Sequence, residues 1–224
     1  LLHLQLSGYV SGKSLQAIGE HLSHLRSLKL EAKECREYIS NDDFIALGNL
    51  CMLRELRLIF PTGCFVIPEI FLRTLKRLRH LKKLEIPFLV HIQDHDFSRL
   101  SECCPLLELL DLFYCRELTT KGLLEMTRNL QHLRCLNVKR CGLGLPDMID
   151  VLKHPSLRHV LLPHSYKFAS LDYLLRFNRL GFSHEGNGRF FRHGVEQRFR
   201  PWFPTHPSSG KFMLCEVCMS DIIV

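Results

Sequence analysis

Apolar residues recur along this chain in one short grouping, Leu-x-x-Leu-x-(Leu/Ile/Val), and the grouping itself repeats. Seven copies occur: Leu1-Leu4-Leu6, Leu25-Leu28-Leu30, Leu53-Leu56-Leu58, Leu81-Leu84-Ile86, Leu107-Leu110-Leu112, Leu133-Leu136-Val138 and Leu157-Val160-Leu162. Their middle residues are separated by 24, 28, 28, 26, 26 and 24 residues. Alternation inside each copy, as at Leu110, Asp111, Leu112 and Phe113, predicts a short strand with its leucines on one face. Between copies the apolar spacing turns helical. Leu15, Ile18 and Leu22, then Ile70, Phe71, Leu75 and Leu78, then Leu123, Leu124, Met126 and Leu130 within Lys121–Leu130, mark the helices that follow the strands.

A single strand–turn–helix unit does not fold alone. It offers about seven apolar side chains, each worth ~1.5–3 kcal/mol when fully buried. Ordering its roughly 26 residues costs on the order of 1.5 kcal/mol per residue. Neighbours must therefore cover both faces, and a period of this length is that of leucine-rich repeats. The expected fold is an α/β leucine-rich-repeat solenoid, a horseshoe with parallel strands on its concave side and helices on its convex side. The repeats occupy 1–163. Leu1 lies in a repeat strand and is not Met, so a truncated amino terminus is expected. Ser170, Leu171, Leu174, Leu175 and Phe177, with Gly181 after them, predict a capping helix within 164–182 that closes the end of the stack. Residues 183–224, broken by Gly186, Gly188, Pro201, Pro204 and Pro207, are expected to be an irregular basic-aromatic tail.

The 224 residues carry a formal charge of +7 spread through every repeat, which suits solubility or acidic partners without naming one. No run of 18 apolar residues exists to span a membrane, and no secretory leader pattern opens the chain. Ten cysteines are present, but Cys104, Cys115, Cys135 and Cys141 fall at repeat positions where Cys serves as a small buried hydrophobe. A reducing cytoplasmic or nuclear compartment is expected.

The segment CPLLELLDLFYCRELTTKGLLEM adds a more specific signature, in Cys104, Pro105, Leu107, Leu110, Leu112, Cys115, Leu118, Thr119, Gly122 and Leu123. It resembles the cysteine-containing leucine-rich repeat of the F-box/leucine-rich-repeat family. Ile92, Asp94 and Phe97, and Ile39, Asp42 and Phe44, echo that repeat's turn into its helix, and His154-Pro155-Ser156-Leu157 occupies its Cys-Pro-x-Leu slot. Only Cys115 and Cys141 hold the mid-repeat cysteine; Tyr9, Lys33, Pro61, Leu89 and Ser165 stand there elsewhere. The steps of 28 also resemble ribonuclease-inhibitor-type repeats. The resemblance implies a non-catalytic substrate receptor of a ubiquitin ligase of the SCF type. In that family the repeats hold a protein substrate and an amino-terminal F-box docks a Skp-type adaptor and cullin. No F-box is visible in this sequence. The alternatives kept open are a leucine-rich-repeat scaffold without a ligase link, and an RNA-associated protein using the carboxy-terminal tail.

The residues between the inward leucines are expected on the concave face, where a protein partner would bind: Lys29, Glu31, Arg57, Glu85, Asp111, Phe113, Asn137 and Lys139. The row runs from basic to acidic beside an aromatic, which suits protein recognition better than a phosphate backbone. No metal site and no cofactor are assigned. Cys215-Glu-Val-Cys218 lacks the second ligand pair that zinc needs, and Asp94 among His91, His95 and Asp96 stands where a helix start places a polar residue. RFFRHGVEQRFRPWF (189–203) interleaves arginine and aromatic side chains, and an arm folded on the repeats is favoured over a nucleic-acid surface. No phosphate-binding loop, G-x-S-x-G elbow or paired metal histidines support an enzyme.

Overall fold

The computed structural model of the protein describes residues 1–34, 39–60, 68–89, 91–162, 171–186 and 189–193. Strand and helix alternate in the expected order. The elements are β1 (His3–Tyr9), α1 (Gly12–His21), β2 (Ser27–Glu34), α2 (Asn41–Ala46, extended by a short 3-10 turn), β3 (Glu55–Ile59), α3 (Pro68–Leu75), β4 (Lys83–Glu85), α4 (Asp94–Cys103), β5 (Leu109–Asp111), α5 (Thr120–Asn129), β6 (Cys135–Asn137), α6 (Leu145–Leu152) and β7 (His159–Leu161). They are followed by α7 (Leu171–Arg179), β8 (Phe182–Gly186) and β9 (Arg189–Arg192).

Among the described residues the strands form one open, mostly parallel nine-stranded sheet in the order β1-β2-β3-β4-β5-β6-β7-β9-β8. Each parallel pairing places equivalent repeat positions side by side: Lys29 beside Arg57, Arg57 beside Glu85, Glu85 beside Asp111, Asp111 beside Asn137 and Asn137 beside Leu161. Because the crossovers all step the same way and such connections are right-handed, the helices collect on one face. Among the described residues the other face carries none. Burial follows the pleat: Leu28, Leu30, Leu56, Leu84, Leu110, Leu112, Leu136 and Leu162 lie in one core with Leu15, Ile18, Phe44, Phe97, Leu123 and Met126 from the helices. In β1, which has a strand on one side only, Leu6 stays 38% exposed.

Neighbouring repeats are also tied through helix starts. Asp94, the first residue of α4, accepts the Thr119 N–H at 2.9 Å and the Thr119 hydroxyl, both at the start of α5. Asp43 closes a capping box with Ser40 and accepts Gln16 Nε2 of α1 at 2.6 Å. Both carboxylates sit against a glycine on the adjacent helix, Gly122 and Gly12 respectively, where a Cβ would collide with them. Asp94 is thus the polar residue at a helix start, and Thr119 engages its carboxylate.

The carboxy-terminal part departs from expectation. Within the expected irregular tail 183–224, residues 183–186 and 189–192 are strand. β8 and β9 pair antiparallel, and β9 pairs antiparallel with β7, so a hairpin continues the sheet. The physical reason lies in Phe182 and Phe190, 1% and 2% exposed, which extend the helix-side core against Phe177 of α7. α7 packs on α6 and β8 rather than closing the sheet end by itself. Gly181, at φ +84, makes the left-handed turn between α7 and β8.

Candidate protein-binding face

On the helix-free face the odd-numbered strand residues stand in rows across the repeats. Lys29, Glu31, Arg57, Glu85 and Lys139 are half-buried there. Arg57 donates to Glu85 Oε2 at 2.7 Å, Lys83 to Glu55 Oε1 at 2.5 Å, and Ser27 to Glu55 at 3.2 Å. The charge of β2–β4 is thus largely answered within the sheet. Burial raises the Glu85 carboxyl above its ordinary value, Arg57 draws it back, and the negative charge of Asp111 pushes it up again. For Glu55, burial acts upward but the hydrogen bond and charge of Lys83 outweigh it, leaving the carboxyl below its ordinary value.

Asp111 and Asn137 differ from the expectation that they face a partner. They are 0% and 2% exposed. Asp111 Oδ1 accepts the Phe113 N–H at 2.9 Å and Asn137 Nδ2 at 2.8 Å, while Asn137 Oδ1 accepts the Lys139 N–H at 3.0 Å. Each side chain therefore holds the backbone two residues on, as Asx residues do at turns. Glu85 escapes that duty because residue 87 is Pro, which has no N–H to satisfy. That leaves its carboxylate for Arg57.

The residue after each such turn, Phe88, Tyr114 or Arg140, has φ of 68°, 65° or 63°. A non-glycine side chain in that region costs roughly 1–2 kcal/mol, and hydrogen bonds to the next repeat offset it. Phe88 N–H reaches Phe113 O at 2.8 Å, and Tyr114 N–H reaches Lys139 O at 3.0 Å. This geometry gathers Phe88, Phe113 and Tyr114 into one aromatic group. Arg116 lies over the Tyr114 ring and Arg140 over Phe113. Phe113 is 9% exposed, so it serves mainly as packing for this group.

Three further residues complete the face, of which Cys135 was expected as a small buried hydrophobe. Leu109, Cys135 and Leu161 form an apolar cluster of their own, apart from the main core. The register signal was available, since each sits at an odd strand position. The hairpin signal was also present, as Asn187-Gly188 between strand-like segments.

Cys104, Cys115, Cys135 and Cys141 are buried free thiols. Burial pushes Cys104, Cys135 and Cys141 up to about 12 and Cys115 well above its ordinary value. Among the described residues no group of three or more His, Cys, Asp or Glu could hold a metal ion. Cys215, Cys218 and His206 lie outside the described residues, as does 194–203 of the basic-aromatic run. Within 189–193, Phe190 is in the core and cannot stack on a base. Among the described residues no helix is long and apolar enough to cross a membrane.

No family model matches this chain. No curated protein matches it. Among solved structures, it is similar to a chain of the crystal structure of the Rad7 and Elc1 complex in yeast, at 22% identity and a TM-score of 0.50. The match covers 79% of this chain and 60% of that one, so this chain spans less than two thirds of its neighbour's length. At that identity the likeness is one of fold.

Proposed function

We propose that the chain is a leucine-rich-repeat solenoid of the F-box/leucine-rich-repeat kind, whose concave face binds a protein and whose role is substrate recognition within a ubiquitin ligase. It works by non-covalent capture, without chemistry of its own. The observation that carries the binding reading is the helix-free face, built from register-matched strands and holding charges, an aromatic group and an apolar strip in a single surface. Aromatic and arginine side chains of this kind often dominate protein interfaces. The neighbour in fold comes from a complex of two proteins, which supports a role in assembly. The F-box repeat signature at Cys104–Leu123 supports the ligase assignment.

Affinity purification of the full-length native protein with mass spectrometry tests this. A Skp-type adaptor and cullin in stoichiometric amount are expected. Their absence from a folded preparation overturns the ligase role and leaves a repeat scaffold.

A further inference from the structure

The repeats turn from helix into strand in one way. The first leucine of a triplet donates its N–H to the carbonyl three residues earlier: Leu53 to Leu50, Leu81 to Leu78, Leu107 to Cys104 and Leu133 to Leu130, at 2.9, 3.0, 3.3 and 3.0 Å. The residue at that carbonyl packs inward, and Leu50, Leu78, Cys104 and Leu130 are 0%, 0%, 1% and 0% exposed. In the last of these turns the slot holds His154. The Leu157 N–H bonds its carbonyl at 3.3 Å, and the residue is 9% exposed. A titratable ring thus stands where the repeat puts a core side chain. Neither of its nitrogens has a hydrogen-bond partner. Burying a polar group in that way is unfavourable, so histidine serves the packing of this turn less well than the leucine of its neighbours.

The groups around the ring disfavour a positive charge. Arg128 of α5 and Asp150 and Lys153 of α6 line the cleft that His154 borders, and Asp150 is already paired with Lys153 at 2.6 Å. Arg158, between α6 and β7, donates to the Pro155 and Leu157 carbonyls at 2.7 and 3.1 Å. From β9, Arg192 donates to the Leu152 and His154 carbonyls, both at 3.1 Å, and lies over the Phe182 ring. Arg192 is therefore the clasp that ties the hairpin to the end of α6. A proton on His154 sets a second cation beside that clasp. Burial holds the ring below its ordinary 6.5, against the pull of the Thr127 carbonyl and with the help of Arg192.

We propose that His154 is an acid-sensitive latch for the carboxy-terminal hairpin: neutral, it packs as the core residue of its turn; protonated, it drives Arg192 from the end of α6 and frees β8 and β9. An opened ring takes up a proton at about its ordinary value, and the packed ring resists it. The stability of this end is therefore full above pH 6.5, declines as pH falls through 6.5 and levels off below the folded value. Opening uncovers Phe177, Phe182 and Phe190, now 0%, 1% and 2% exposed, and leaves the β7 edge that β9 occupies free to pair with another strand. The inference stands apart from the ligase reading, since it concerns the end of the stack whatever the concave face binds.

The test is amide hydrogen exchange of the full chain by mass spectrometry at about pH 7.5 and 5.5, with labelling times scaled for the intrinsic chemical rate. At the lower pH an opened ring of ordinary value is charged in roughly ten molecules of eleven, so opening gains at most about tenfold. Peptides covering β7, β8 and β9 should lose about three- to tenfold in protection on acidification, relative to those covering β2 and β3. His154→Leu, which installs the residue of the equivalent turns, should remove that difference, and so should His154→Gln, which stays polar but does not titrate. Arg192→Met should loosen the hairpin already at the higher pH. Equal protection of the native hairpin at both values overturns the proposal. So does an acid effect that survives in both His154 variants, which assigns it to other groups such as His184 or His193. A His154 ring that titrates at or above 6.5 by NMR overturns it as well.

Discussion

Replacing Gly122 by alanine probes the contact that links adjacent repeats. A Cβ on Gly122 falls 2.2 Å from Asp94 Oδ1 and 2.5 Å from its Cγ, so the carboxylate has to leave. With it go the hydrogen bonds from the Thr119 N–H and hydroxyl at the start of α5. Hydrogen bonds to a charged group contribute about 1.5–3 kcal/mol, and alanine returns up to ~1 kcal/mol of helix propensity. Gly122→Ala is expected to destabilise by about 1–3 kcal/mol, a loss of roughly 3–10 °C in Tm for a domain of this size. Removing the obstacle reverses the sign. In an Asp94→Ala background, itself weakened by about 1–3 kcal/mol through loss of the hydrogen bonds from Thr119, adding Gly122→Ala should be neutral or stabilising by up to ~1 kcal/mol. Urea denaturation of the four proteins, followed by far-UV circular dichroism, gives the coupling directly. If Gly122→Ala costs the same in both backgrounds, or stabilises the native sequence, the interlock is not what holds α5 to α4.

Further outcomes are expected elsewhere on the sheet. Arg57→Met leaves the Glu85 carboxylate buried without its guanidinium. Because the folded-state pKa of Glu85 lies above the ordinary 4.5 and rises further in the variant, the stability deficit should be largest at pH 7 and shrink as pH falls toward 4.5; a deficit flat over that range refutes the argument. Asn137→Ala should cost about 1–3 kcal/mol, the cost of leaving buried Asp111 short of a donor, and should speed hydrogen exchange of the Lys139 amide. Iodoacetamide at pH 8 with peptide mapping should label exposed Cys51 and spare Cys104, Cys115, Cys135 and Cys141, whose thiols burial keeps protonated. Phe190→Ala should cost about 3–5 kcal/mol by emptying the contact with Phe177, and a near-neutral value would mean the hairpin is not anchored there.

Much of the fold was legible in one dimension, because a strand of period two and a helix of period 3.6 leave their marks in consecutive residues. The leucine triplets, their spacing and the helical stretches between them specified strand order, the parallel pairing of β1–β7 and the cysteines that belong to the core. The same pattern identified which residues face away from the helices, and it placed Lys29, Arg57 and Glu85 in one row. Tertiary structure decided what those residues do there. Arg57 and Glu85 are 28 residues apart in the chain and meet because the register sets equal repeat positions side by side. Asp111 and Asn137 read as surface residues in the sequence, yet the turn that follows each strand takes their oxygens for backbone N–H groups. Leu109, Cys135 and Leu161 are unremarkable singly and become a strip only when three strands align. Residues 183–224 looked like a broken tail, yet 182–186 and 189–192 became part of the sheet because Phe182 and Phe190 had the end of the core to cover. Local periodicity is a property of neighbours along the chain; pairing, charge compensation and patches are properties of neighbours in space.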